Sequence, residues 1–227
     1  MADTYVFVSA DKKLIIALHV DDLLVFSSDK GRIAEFKSYL MAQFKVKDLG
    51  NAALILSKNI TRDFRNKKIT IDQEHFIKNL MVQYDISDDD MRKVLAPTST
   101  YESLLPKDSK IPEAETNIRE YQTLLEELNW LVKGTRPQNW FTTNRLAQSR
   151  CCPVLRHMTA ARRLLNYSCN SKSQRLVYSA DQTGTGENLP LPTGYSEADF
   201  GSHPSRKSTT GSLWMFAGSP ITWASKL

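Results

Sequence analysis

Apolar and polar positions fall into two rhythms along the chain, short alternating or continuous apolar runs at both ends and three- to four-residue spacing in between. Tyr5-Val6-Phe7-Val8, within Thr4 to Ser9, predicts a strand, and Ala10-Asp11-Lys12-Lys13 a polar turn. Two further strands, Leu14 to Val20 and Leu23 to Phe26, flank Asp21-Asp22 and complete a three-strand meander. Ser28 or Asp29 is then a good N-cap for a helix over Lys30–Phe44. Its apolar stripe, Ile33, Phe36, Leu40 and Phe44, predicts a core helix packed on the sheet, and Gly50 closes the segment. Ala53 to Asp63 and Lys68 to Asp72 read as strands around a turn at Phe64-Arg65-Asn66-Lys67. A second helix, about Gln73 to Tyr84, has Phe76, Ile77, Leu80 and Met81 as its buried face.

From Pro97 to Pro112 the composition shifts to Pro, Ser and Thr, which predicts an extended connector and a first domain boundary. Helical spacing returns over Ile118–Lys133, Asn139–Ser149 and Val154–Ser168, the first with Leu124, Leu128, Leu131 and Val132 on its apolar face. Gly134 and Pro137 separate the first two, and Pro153 opens the third. Leu176-Val177-Tyr178 is a short strand, and Gln182 to Pro192 a second linker. Three more strands follow: Tyr195–Asp199, Gly211–Phe216 and Ile221–Trp223, the last two joined at Gly218-Ser219-Pro220. With no helix after them, one face of that sheet is expected to be wet. The pattern as a whole is that of an α+β protein.

Chemistry concentrates at Asp21-Asp22. Adjacent carboxylates repel unless a cation or a proton lies between them, and hard oxygen donors suit magnesium. An exposed turn is the alternative reading, since Asp is common in turns and two ligands do not complete a magnesium shell. The net charge of +5 is modest, with basic groups at Arg62 to Lys68, Arg145 to Arg163 and Arg206-Lys207 and an acidic knot at Asp88-Asp89-Asp90. Such groupings fit either solvated faces or a surface that tracks phosphates. On the third helix Arg156, Arg162 and Arg163, with His157 beside them, are candidates for that surface. Cys151, Cys152 and Cys169 lack a Cys-x-x-Cys or a nearby His pair, which argues against zinc and against a disulfide framework and predicts reduced thiols in or near a core. No run reaches the ~20 apolar residues of a membrane helix, and the N-terminus does not read as a signal peptide, so an intracellular protein is expected.

Four blocks together resemble the polymerase region of copia-type long-terminal-repeat retrotransposon polyproteins, from the late reverse transcriptase into the RNase H. His19-Val20-Asp21-Asp22-Leu23-Leu24-Val25 is similar to the family's Tyr-Val-Asp-Asp-Leu-Leu. Phe44-Lys45-Val46-Lys47-Asp48-Leu49-Gly50 is similar to its Phe-x-Met-Lys-Asp-Leu-Gly. The run from Glu126 to Thr135-Arg136-Pro137 is similar to a segment ending Thr-Arg-Pro-Asp. The last block is Gly194 to Phe200, then Arg206 to Gly211, then Gly218 to Lys226. The resemblance implies a palm subdomain with an antiparallel sheet and helices to about residue 96, a helical thumb or connection over 97–170, and the opening strands of an RNase H-like sheet over 171–227. It implies that Asp21 and Asp22 are catalytic and hold magnesium, and that the partners are an RNA or DNA primer-template and the rest of a polyprotein.

The departures from the family pattern shape the expected function. The family's third palm carboxylate, and its fingers, would precede residue 1. His19 replaces Tyr, Gln138 replaces Asp after Thr-Arg-Pro, and the first RNase H carboxylate aligns with Glu197, one methylene longer than Asp, while the remaining ones would follow residue 227. Asp199 falls at a non-catalytic family position. The expectation is therefore part of an RNA-directed DNA polymerase and RNase H that is catalytically incompetent alone. The alternatives are a non-catalytic nucleic-acid-binding remnant or a functionless relic.

Overall fold

The computed structural model describes residues 5–98, 100–108, 112–182, 191–201, 203 and 205–227. Thr4 of the first predicted strand, Ser99 and 109–111 of the predicted connector, and 183–190 of the second linker lie outside the described residues. The architecture is mixed, with antiparallel sheets and helices, as the pattern predicts. No helix of the described residues is long and apolar enough to cross a membrane. The chain divides into two compact units, Met1–Ala52 and Ala53–Leu227.

In the first unit, β1 (Val6–Val8), β2 (Leu14–His19) and β3 (Asp22–Ser27) form an antiparallel sheet in chain order. Helix α1 (Lys30–Gln43) follows, with the Asp29 side chain accepting from the Gly31 N–H at 2.8 Å. The predicted stripe is in place, with Ile33, Phe36 and Leu40 half-buried, but no residue of α1 is buried and Phe44 is 62% exposed. The expectation of a buried core helix is thus corrected. A unit of this size buries a small share of its surface, and its sheet is apolar on both faces. The register puts Val6, Val8, Ile15 and Phe26 on one face, each 40–55% exposed.

In the second unit, β4 (Leu54–Ile55), β5 (Lys58–Asp63), β6 (Lys68–Asp72) and β7 (Leu176–Ser179) form a four-stranded antiparallel sheet. The single strand predicted over 53–63 is a hairpin, because Leu56 and Ser57 both adopt positive φ and turn the chain between Ile55 and Lys58. Paired positive-φ residues make the type I′ turn that fits the strand twist. Strand β7, distant in sequence, joins β6 through pairs such as Ile69 with Tyr178.

The helices of this unit include α2 (Glu74–Gln83), α3 (Asp88–Arg92), α4 (Ile118–Gly134), α5 (Trp140–Ala147) and α6 (Leu155–Asn170). Their apolar faces meet in one core containing Ile77, Leu80, Leu124, Leu128, Leu164 and Leu165, all 2% exposed or less. The acidic knot is the first turn of α3, where Asp90 and Ser87 form a capping box and the carboxylates complement the helix dipole. Within the Pro97–Pro112 stretch Leu104, in a short 3-10 turn, is 1% exposed and packs into the core. Gly134 lies inside α4 rather than after it, and Val154, not Pro153, caps α6.

The last sheet has the order β10-β9-β8, with β8 (Thr193–Ala198), β9 (Thr210–Phe216) and β10 (Ser219–Lys226). Its final turn is Ala217-Gly218, both at positive φ, and Ser219 and Pro220 already belong to β10. Proline is tolerated there because β10 is an edge strand and the register shifts just after Pro220. One face packs on helices. The Trp223 indole donates to the Val132 carbonyl at 2.9 Å, and the Trp140 indole to Ser225 at 3.0 Å. Strand β8 is exposed throughout.

Candidate active site

The two adjacent carboxylates fall at the tip of the β2–β3 hairpin. His19 pairs directly with Asp22, which leaves Val20 and Asp21 as a two-residue turn. Val20 takes φ +51°, in the left-handed region that a β-branched side chain enters at a cost of about 1–2 kcal/mol. It is also 79% exposed, so packing does not reward the conformation. Other hairpin turns, at Leu56-Ser57 and Ala217-Gly218, use the same left-handed region, so the conformation goes with the tight reversal. The turn presents Asp21 at the apex and Asp22 at the head of β3, both exposed. Because His19 and Asp22 are opposed residues, their side chains leave the same face of the sheet.

Magnesium is the cation whose donor preference bears on this pair. This ion is commonly held by one or two carboxylates together with waters and substrate phosphates. Asp21 and Asp22 match that open mode in donor type and exposure. They do not make a closed protein cage, since among the described residues no three His, Cys, Asp or Glu side chains gather into a group that could hold a metal.

Glu197 lies on β8, opposite Gly211, and is exposed. Asp199 just beyond it accepts from the Thr209 backbone N–H at 2.5 Å and faces the buried Arg145 guanidinium at 3.9 Å. Asp199 therefore organises the turn into β9.

The basic groups of the helical region are mostly committed to the fold. Arg150 pairs with Glu126 at 2.7 Å, and Arg162 with Glu120 at 2.7 Å. Arg156 pairs with Glu113 at 2.5 Å and donates to the Glu102, Leu105 and Pro106 carbonyls. This partnership holds the Glu113 carboxyl below its usual range. His157 is fully buried, taking the Val154 N–H on Nδ1 at 3.2 Å and placing Nε2 2.7 Å from the Leu105 carbonyl. Of the two readings of α6, a solvated face or a phosphate-facing one, neither holds for Arg156 and His157, because the ring is buried and the guanidinium is saturated by protein oxygens.

Two features of Thr135-Arg136-Pro137 escape a sequence reading. Thr135 Oγ1 donates to Gln73 Oε1 at 2.8 Å, and Arg136, 0% exposed, donates to the carbonyls of Ser171, Lys172 and Gln174 past the end of α6. A cation there complements the negative end of the helix dipole. Gln138 donates to Gln174 Oε1 at 2.7 Å beside it. The thiols also divide differently from expectation, for Cys169 is buried while Cys151 and Cys152 are exposed.

Residues 2–99 match the family model for reverse transcriptase (RNA-dependent DNA polymerase). The chain is 29% identical over 96% of its length to the retrovirus-related Pol polyprotein from transposon TNT 1-94 of Nicotiana tabacum, of which it spans 16%. It is 28% identical over 96% of its length to a putative transposon Ty5-1 protein of Saccharomyces cerevisiae, spanning 67% of that protein. It is 26% identical over its whole length to the Pol polyprotein from transposon RE1 of Arabidopsis thaliana, spanning 15% of it. No solved structure matches. The Asp-Asp hairpin lies inside the region that matches the reverse-transcriptase family, and the chain is similar to retrotransposon Pol polyproteins over nearly all of its own length while spanning about a sixth of theirs.

Proposed function

We propose that this chain is the part of a retrotransposon polymerase that carries the paired carboxylates of the nucleotide-addition site and leads into an RNase H-like segment. The carrying observation is the β2–β3 hairpin, which presents Asp21 and Asp22 at an exposed, backbone-strained turn inside the reverse-transcriptase match. In this reading residues up to about 96 form part of a palm, 97–170 a helical thumb or connection, and 171–227 the opening strands of an RNase H-like sheet with Glu197 as the remnant of its first carboxylate.

Asp21 and Asp22 would hold magnesium, which when bound neutralises charge on the phosphates and the attacking oxygen. The side chains supply hard anionic oxygens, and the tight turn fixes their separation before substrate arrives. His19, on the face it shares with Asp22, borders the position of the primer end. The partners in this reading are an RNA or DNA primer-template and the remainder of a Pol polyprotein. In this reading the chain does not extend a primer alone.

The test is primer extension on an RNA template with magnesium, using Asp21→Asn as control. No extension by either protein is the expected outcome. Extension that vanishes in Asp21→Asn would overturn the incompetence while upholding the site. Extension that survives Asp21→Asn would remove Asp21 from the chemistry.

A further inference from the structure

We propose that Cys151-Cys152 is a vicinal dithiol site that captures a soft, thiophilic centre requiring two sulfurs, of the trivalent arsenical class. The two thiols are adjacent and exposed, in the turn that joins α5 to α6, whereas Cys169 is buried and burial pushes its thiol up to about 12. The protein thus offers two exposed thiols on consecutive residues and keeps the third thiol buried.

The turn that carries the pair is held in place. The Ser149 N–H donates to the Leu146 carbonyl at 3.0 Å, Arg150 to Ala147 at 3.2 Å and Cys152 to Ser149 at 3.2 Å. The Gln122 side chain donates to the Arg150 carbonyl at 3.2 Å, and Arg150 is tied to Glu126 of α4. Pro153 restricts the backbone of Cys152 just before it. The backbone of the pair is therefore fixed while both side chains keep their rotamer freedom in solvent.

That geometry selects against a direct Cys151–Cys152 disulfide. Consecutive Cα atoms lie ~3.8 Å apart, below the ~4.4–6.8 Å that an unstrained disulfide spans. A larger atom inserted between the sulfurs lengthens the bridge and relieves that constraint. Soft thiolate donors also favour soft acceptors. With an aryl arsenic(III) oxide, two As–S bonds form and the As–O bond breaks. The two thiol protons leave with the oxide oxygen as water, and arsenic stays trivalent, so no oxidant is needed.

The experiment uses the full chain in its reduced form and phenylarsine oxide as probe, read by intact mass. One equivalent is expected to bind and to survive excess monothiol, yet to be removed by ethanedithiol, because only a chelate resists a single competing sulfur. Cys151→Ser and Cys152→Ser, both at exposed positions, should each lose the monothiol-resistant adduct, and Cys169→Ser should keep it. An adduct stripped by monothiol, or one that persists in Cys151→Ser or Cys152→Ser, would overturn the proposal.

Discussion

Gln73 lies so close to Gly134 that a Cβ on Gly134 would sit 2.1 Å from the Gln73 Oε1. The contact closes α4 against the start of α2, and it aims the buried Gln73 amide at Thr135 Oγ1 (2.8 Å) and the Trp130 carbonyl (3.4 Å). Gly134→Ala should therefore destabilise the protein, although alanine is the better helix former by about 1 kcal/mol. Displacing the Gln73 amide leaves buried polar atoms unpaired, at about 1–3 kcal/mol. A net loss of up to about 2 kcal/mol is expected in chemical denaturation. In a Gln73→Ala background the same substitution should become neutral or stabilising, and equal effects in both backgrounds would refute the contact.

Arg136 makes a related prediction about a charge. Its guanidinium spans three carbonyls beyond the end of α6 and is 0% exposed. Lysine keeps the charge but cannot reproduce a planar fork. Arg136→Lys should cost about 2–4 kcal/mol. Full stability in the lysine protein would mean that charge alone matters.

Ser57 occupies the second positive-φ position of the turn between Ile55 and Lys58, at φ +57°. Glycine enters that region without a Cβ penalty. Ser57→Gly should raise stability by about 0.5–1 kcal/mol, the ~1–2 kcal/mol of relieved strain less the extra freedom glycine has when unfolded. A lowered thermal midpoint would show that the serine side chain contributes more than its backbone costs.

His157 makes the protein sensitive to mild acid. Burial, foremost, holds its imidazole below the ordinary value of 6.5, with Arg156 acting in the same direction. Its Nδ1 accepts the Val154 N–H, so a proton added there would face a donor. The folded state thus binds the proton less readily than the unfolded chain. Stability from this group is fully present above about pH 6.5 and declines as pH falls from there toward the folded value. Denaturant midpoints should drop across that window, and His157→Gln should flatten the drop. An unchanged pH profile in the variant would place the acid sensitivity elsewhere.

The local pattern alone determined a good deal. The meander around Asp21-Asp22, the Asp29 cap, and the helices α1, α2, α4, α5 and α6 are legible because apolar spacing and cap residues act within a few positions of one another. The paired carboxylates stand out for the same reason, as does the family through its motifs. Tertiary structure decided what depends on neighbours distant in the chain. Strand β7 finds β6 across about a hundred residues of sequence, which no period reveals. The stripe of α1 is correct as a pattern yet only half-buried, because burial depends on how much surface its unit can cover. Arg136, Arg156 and His157 read as basic groups in a sequence, and only packing shows that most of their donors and acceptors are already taken within the protein. The turn at Val20 illustrates both parts. Its two-residue length follows from the flanking strands, but the positive φ of a β-branched residue emerges only when those strands are paired in register.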